Sequence, residues 1–154
     1  MIEFIIVNDN LLFQTKMIST IEAIMVKEKL AYHIHVYDDY NVSAYQLMQK
    51  RTQMMRIYIL DMETPTRKME DYVRKIRKKD VTSTIIGIGN QKDYITVFKY
   101  LFLTCIDFFD TKFEEHLKQS LLFVIKNELN HKILRFTERD IQYGIHTQTL
   151  EIRI

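Results

Sequence analysis

Five short, nearly continuous apolar runs alternate with stretches whose apolar residues return every three or four positions, and this alternation limits the possible folds most. A strand apolar on both faces must be covered on both faces, and helical crossovers between such strands leave a parallel sheet between two helical layers. The runs are Phe4 to Val7, Tyr32 to Tyr37, Ile57 to Leu60, Thr84 to Ile88 and Ile106 to Phe109. Tyr32 to Tyr37 is the most amphipathic, as an edge strand would be. Helical stripes lie between and after the runs. They are Phe13, Met17, Ile21 and Ile24, fading near Lys27 to Lys29; Ala44 to Gln49; Met69, Tyr72, Val73 and Ile76; Tyr94 to Phe102; and Leu117, Leu121, Val124 and Ile125.

With 154 residues, 47% of them hydrophobic, the chain can bury the core such a sheet needs. Its 22 basic and 20 acidic residues leave a net charge of +2, which excludes a polycation bound to nucleic acid or membrane by overall charge. Cys105 is the one cysteine, so no internal disulfide can form, and its apolar neighbour Ile106 marks it as a buried, inert thiol. The opening MIEFIIV lacks the basic start of a secretory signal, and Asp107 breaks YLFLTCIDFF short of a membrane span. A soluble, cytoplasmic protein without membrane contact is expected. With three glycines and one proline, tight turns have to rely on Asn and Asp.

After about Asn130 the period changes. Ile141, Tyr143 and Ile145 alternate, as do Leu150, Ile152 and Ile154, with HTQT between them, the pattern of a β-hairpin. We therefore expect one domain over residues 1–127 and a linker with a hairpin over 128–154. The apolar last residue, Ile154, leads us to expect a piece of a longer protein or a strand completed by a partner.

Asp9 ends the first run and Asp61 the third. Open parallel sheets bind ligands at the carboxyl ends of their strands, near the point where strand order reverses, and an order of 2-1-3-4-5 makes these two ends neighbours. Two carboxylates with a main-chain carbonyl just after Asp61 form a hard-oxygen site suited to magnesium. Taken singly, Asp9 reads as a helix cap and Asp61 as a turn residue.

The pieces IEFIIVND with its terminal acid, ILDMETP with Asp61 and Pro65, VRKIRKKD, TIIGIG and IDFFDTK follow one another in this order. Together they resemble the receiver domain of two-component response regulators, over roughly residues 1 to 127. The ILDME and IDFF pieces, with the long first helix, are most similar to regulators carrying a LytTR-type DNA-binding domain in quorum-sensing and competence systems.

The resemblance implies a flavodoxin-like fold and Asp61 as phosphoacceptor. It implies a magnesium ion held by Asp9, Asp61 and the Glu63 carbonyl, which neutralises the phosphoryl charge during in-line transfer. It also implies a sensor histidine kinase as partner, a homodimer, and DNA contact only through a downstream output domain that the tail leads into or begins.

The departures from the family pattern are as informative. Asn8 stands where a second acid is usual, which weakens the hold on magnesium. Gly89 replaces the Ser or Thr whose hydroxyl meets the phosphoryl oxygen, and Thr111 replaces the lysine that pairs with it. Lys112 comes one residue later, a slip that turns a strand side chain to the opposite face. Phe108 keeps the place of the rotating aromatic. We expect an atypical receiver that controls transcription by dimerising, with weak or no dependence on phosphorylation. The alternative is a stand-alone adaptor or antagonist that pairs its hairpin with a partner's sheet edge. No glycine-rich loop follows any strand, so an enzyme is not expected.

Three further features bear on partners and metals. Tyr94, Phe98, Tyr100 and Phe102 give one helix more aromatic surface than a core stripe needs, which points to the dimer interface. The cations from Arg67 to Lys79 form a solvated helix face with no nucleic-acid role. His33 and His35 face the same way near Asp38, but solvent-facing histidines on an edge strand are commoner than a metal pair.

Overall fold

The computed structural model describes residues 1–62, 67–81, 83–89, 104–106 and 111–127, with backbone alone at 104–106. Their elements are β1 (Ile2–Val7), α1 (Leu11–Glu28), β2 (Tyr32–Tyr37), α2 (Val42–Gln49), β3 (Met55–Asp61), α3 (Arg67–Lys79), β4 (Thr84–Ile88) and β5 (Thr104–Ile106). A further helix covers 113–127. The strands form one parallel sheet in the order β2-β1-β3-β4-β5, with the expected amphipathic strand at its edge.

β1 and β3 run longer than their apolar centres, because neighbours in the sheet order their ends, whereas β2 and β4 match the runs. β1 begins at Ile2 because Glu3 is buried inside it. The fifth strand is a correction: it lies over Thr104–Ile106, earlier than the expected Ile106 to Phe109, whose last three residues are outside the described set. YLFLTCIDFF has no charged residue before Asp107, so periodicity gives no signal of where a helix gives way to a strand. The tail hairpin and the helix Tyr94 to Phe102 also lie outside the described residues.

Alternation along β1, β3 and β4 divides the core between two faces. Ile5, Val7, Tyr58, Leu60 and Ile85 pack with Ala44 and Met48 of α2 and with Met69, Tyr72, Val73 and Ile76 of α3. Phe4, Ile6, Ile57, Ile59 and Ile86, all fully buried, point to the other face. There α1 buries Phe13, Met17, Ile21 and Ile24, and the ring of Phe13 lies 6.5 Å from that of Phe113. Residues 1–118 form one compact unit, and the described residues 119–127 fall outside it.

Asn supplies the caps that the scarcity of glycine required. Asn10 Oδ1 accepts from the N–H of Phe13 at 3.1 Å, and Asn41 Oδ1 from that of Ala44 at 2.9 Å. Lys29 closes α1 in the left-handed region, at φ 54° and ψ 42°, where a β-carbon is strained and glycine is not. Lys29→Gly is expected to stabilise the protein by about 0.5–1 kcal/mol, seen as a higher urea midpoint at unchanged slope.

Candidate functional site

The register aligns Val7 with Tyr37 and with Leu60, and Asp61 with Ile88, so the carboxyl ends of β2, β1, β3 and β4 share one rim. A cleft of about 390 Å³ opens there, lined by Val7, Asn8, Asp9, Asp38, Asp39, Tyr40 and Asp61. The sheet order thus brings Asp9 and Asp61 to one cleft, as expected, and adds two acids from the end of β2. The signal for Asp38 and Asp39 was available: they follow a strand end next to β1, just as Asp9 and Asp61 follow theirs.

The floor of the cleft is a hydrogen-bonded turn. Asn8 is buried; its side-chain oxygen accepts from the N–H of Asn10 at 2.7 Å, and its own N–H donates to the Tyr37 carbonyl at 3.0 Å. Gln14 reaches over from α1, its Nε2 donating to the Asn8 carbonyl at 2.6 Å and to Asp38 Oδ1 at 2.9 Å. Asn8 therefore ties β1 to the start of α1. Asp9 is exposed beside it, and Asp61 is half-buried.

Tyr40 forms one wall. It is 8% exposed, and its hydroxyl donates to the main-chain carbonyl of Asp61 at 3.3 Å. Burial first, then the negative charge of Asp61, pushes its phenol well above the ordinary value, so it remains a donor at every physiological pH. Its own N–H bonds Asp39, which with the Lys68 ammonium at 3.3 Å holds the Asp39 carboxyl below its usual range. That ion pair is exposed on both sides and contributes little stability.

Other expected positions are placed as follows. Gly89 is buried just after β4, while Thr111 and Lys112 are exposed in the turn before the helix 113–127. None of the three is among the described residues lining the cleft. Glu63, Phe98, Tyr100, Phe102 and Phe108 lie outside the described residues. Among the described residues, no group of three or more His, Cys, Asp or Glu side chains stands in position to hold a metal ion. The oxygen-only donors of the cleft suit magnesium in kind. Of the three expected ligands the cleft holds the Asp9 and Asp61 side chains, and the third, the Glu63 carbonyl, lies outside the described residues. His33 and His35 do not join Asp38: His35 Nε2 bonds Glu3 at 3.0 Å, and Asp38 is bonded by Gln14. This corrects the solvent-facing reading for His35, whereas His33 is exposed as expected.

No protein-family model matches the sequence, and no curated protein matches it either. Solved structures do. The signal receiver domain of an HD domain-containing protein from Pseudomonas fluorescens Pf-5 superposes with a TM-score of 0.58 at 17% identity, over 90% of this chain and 91% of that one. An adenylate cyclase structure from Rhodopirellula baltica (TM-score 0.49, 14% identity, 84% and 97% covered) and the response regulator StyR (0.45, 12%, 99% and 87%) are more remote. No helix among the described residues is long and apolar enough to cross a membrane. The strand order, the two helical layers and the acidic cleft at the carboxyl rim, with the first of these likenesses, establish that the chain has the flavodoxin-like fold of a receiver domain.

Proposed function

We propose that the chain is the receiver part of an atypical response regulator, a non-enzymatic cytoplasmic switch that controls transcription by dimerising and depends weakly or not at all on phosphorylation. The observation that carries this reading is the shared cleft of Asp9 and Asp61 at the rim of a 2-1-3-4-5 sheet. Asp61 would be the phosphoacceptor. Asp9, Asp61 and the Glu63 carbonyl would hold magnesium weakly, and the ion, when bound, would offset phosphoryl charge. With Asn8, Gly89 and Thr111 at the positions that would complete the charge and read the phosphate, little free energy is left to couple transfer to a change of shape. The dimer would form through the helix of Phe98, Tyr100 and Phe102, with Phe108 beside it, and DNA would be met by a LytTR-type output domain beyond residue 127.

The test is intact mass measurement after incubation with acetyl phosphate and magnesium. Substoichiometric gain of a phosphoryl group, lost in Asp61→Ala, is expected. Full, rapid modification would overturn the weak-dependence part, and modification that persists in Asp61→Ala would overturn the site. Light scattering at about tens of micromolar should give a dimer in either state, and a monomer would remove the dimerisation step.

A further inference from the structure

At the opposite end of the sheet, α2 and α3 finish beside the loop that enters β3. An open cleft of about 590 Å³ lies there, lined by Lys50, Arg51, Thr52, Gln53, Lys79 and Asp80, so three cations face one acid. We propose that this cleft binds a small phosphate-bearing anion, at a site separate from the acidic cleft and independent of its function.

The site is built around Lys79. Its ammonium donates to the main-chain carbonyls of Met48 at 2.8 Å and Lys50 at 3.0 Å, which fixes it at the end of α2. An ammonium has three donors, and no described residue takes the third. Desolvation, then the nearby charges of Arg56 and Arg51, holds Lys79 below the ordinary lysine value. A bound anion would relieve that repulsion. The side chains of Lys50 and Arg51 are exposed, and no described residue bonds to either. Asp80, the lone acid, spends Oδ1 on the Ser83 N–H at 3.1 Å.

Size and charge distribution favour a small molecule over nucleic acid. The cleft falls within the range of ligand pockets, about 300–1,000 Å³. Along the outer face of α3, by contrast, Lys68 is paired with Asp39 and Lys75 with Asp71, so acids interrupt the stripe that a phosphate backbone would follow. Lys50 and Arg51, without ion pairs among the described residues, gather where Lys79 is already held, and an ordered donor costs less entropy to use than a free one.

The experiment is a titration of the isotope-labelled full chain with pyrophosphate, inorganic phosphate and adenosine diphosphate in separate arms, followed by amide chemical shifts. We expect saturable shifts at Arg51, Thr52, Gln53 and Asp80, with half-saturation by pyrophosphate near or below about 1 mM. Arg51→Glu should weaken binding by about tenfold, the loss of one charge-assisted contact, whereas Arg74→Glu on the exposed face of α3 should leave it unchanged. Lys79→Met should also abolish binding, but it uncaps α2 as well; Arg51→Glu touches no packing and carries the test. Asp61→Ala should bind as well as the parent chain. No saturation by about 10 mM in any arm would overturn the proposal, as would Arg51→Glu binding normally or Asp61→Ala losing the site. Shifts spread along α3 by single-stranded DNA, with no effect of pyrophosphate, would overturn it in favour of nucleic acid.

Discussion

Replacing Glu3 with leucine is expected to lower the free energy of unfolding by about 3–5 kcal/mol, because it leaves a buried guanidinium without its counter-charge. Glu3 and Arg56 are 5% and 8% exposed, and β1 pairs with β3 so that the two residues stand side by side. Arg56 Nε donates to Glu3 Oε2 at 2.7 Å and Nη1 to the Met48 carbonyl at 3.1 Å, while His35 bonds the other carboxylate oxygen. Arginine cannot shed its proton, so Glu3→Leu strands a full charge. Arg56→Met should cost less, since Glu3 keeps His35 and can take up a proton. The double variant Glu3→Leu/Arg56→Met should return to within about 1 kcal/mol of the parent chain, because similar apolar volume replaces both ions. Urea unfolding of the four proteins checks this, and additive losses in the double variant would refute it.

The same pair sets an acid limb. Burial acts to raise the Glu3 carboxyl, but the bonds and charges of Arg56 and His35 outweigh it, and the net displacement is below the ordinary value of 4.5. A lowered folded value means that the unfolded chain binds the proton first as pH falls. The contribution of Glu3 is therefore complete above pH 4.5 and is lost below it, as pH passes through the folded value. The double variant should lose stability less steeply over that interval.

Glu3 also shows where the sequence stops being legible. A charged residue before Phe4 reads as lead-in to a strand, and only a partner 53 positions away makes it an interior residue. The central strands needed no such help, because continuous apolar runs declare themselves buried on both faces. Asp9 and Asp61 were found by their places at strand ends, which depend on local pattern plus one topological rule. Gln14 and Tyr40 are not legible in the sequence, because nothing near them in the chain marks them. Gln14 lies in α1 and reaches the cleft across a register set by β2, and Tyr40 reads as a loop tyrosine until Asp61 is placed beside it. The basic cleft was hidden in the same way, since Lys50 and Arg51 are far from Lys79 in sequence and the helix carrying Lys79 reads as a uniformly solvated face.

Tyr72→Ala is expected to cost about 3–5 kcal/mol and to loosen the acidic cleft, although Tyr72 is not among its lining residues. Tyr72 is fully buried on α3, and the rings of Tyr40, Tyr45 and Tyr58 stand 5.1, 5.1 and 6.2 Å from its own. Removing the ring leaves a cavity that three aromatic neighbours cannot fill without moving, and one of them, Tyr40, is the wall that bonds the Asp61 carbonyl. Tyr72→Phe keeps the stack and loses only the hydroxyl bond to the Ala44 carbonyl at 3.2 Å, an acceptor within α2, so its cost should be about 0.5–1.5 kcal/mol. Amide exchange at Met62, whose N–H bonds the Ile88 carbonyl at 2.7 Å next to Asp61, distinguishes packing from hydrogen bonding. Exchange there should quicken in Tyr72→Ala beyond the change in global stability, and should follow global stability alone in Tyr72→Phe. Tyr40→Phe, which keeps the ring but not its bond to Asp61, should fall between the two. Equal behaviour of the alanine and phenylalanine variants at position 72 would mean that the ring stack does not support the cleft, and that Tyr40 is held by its own burial.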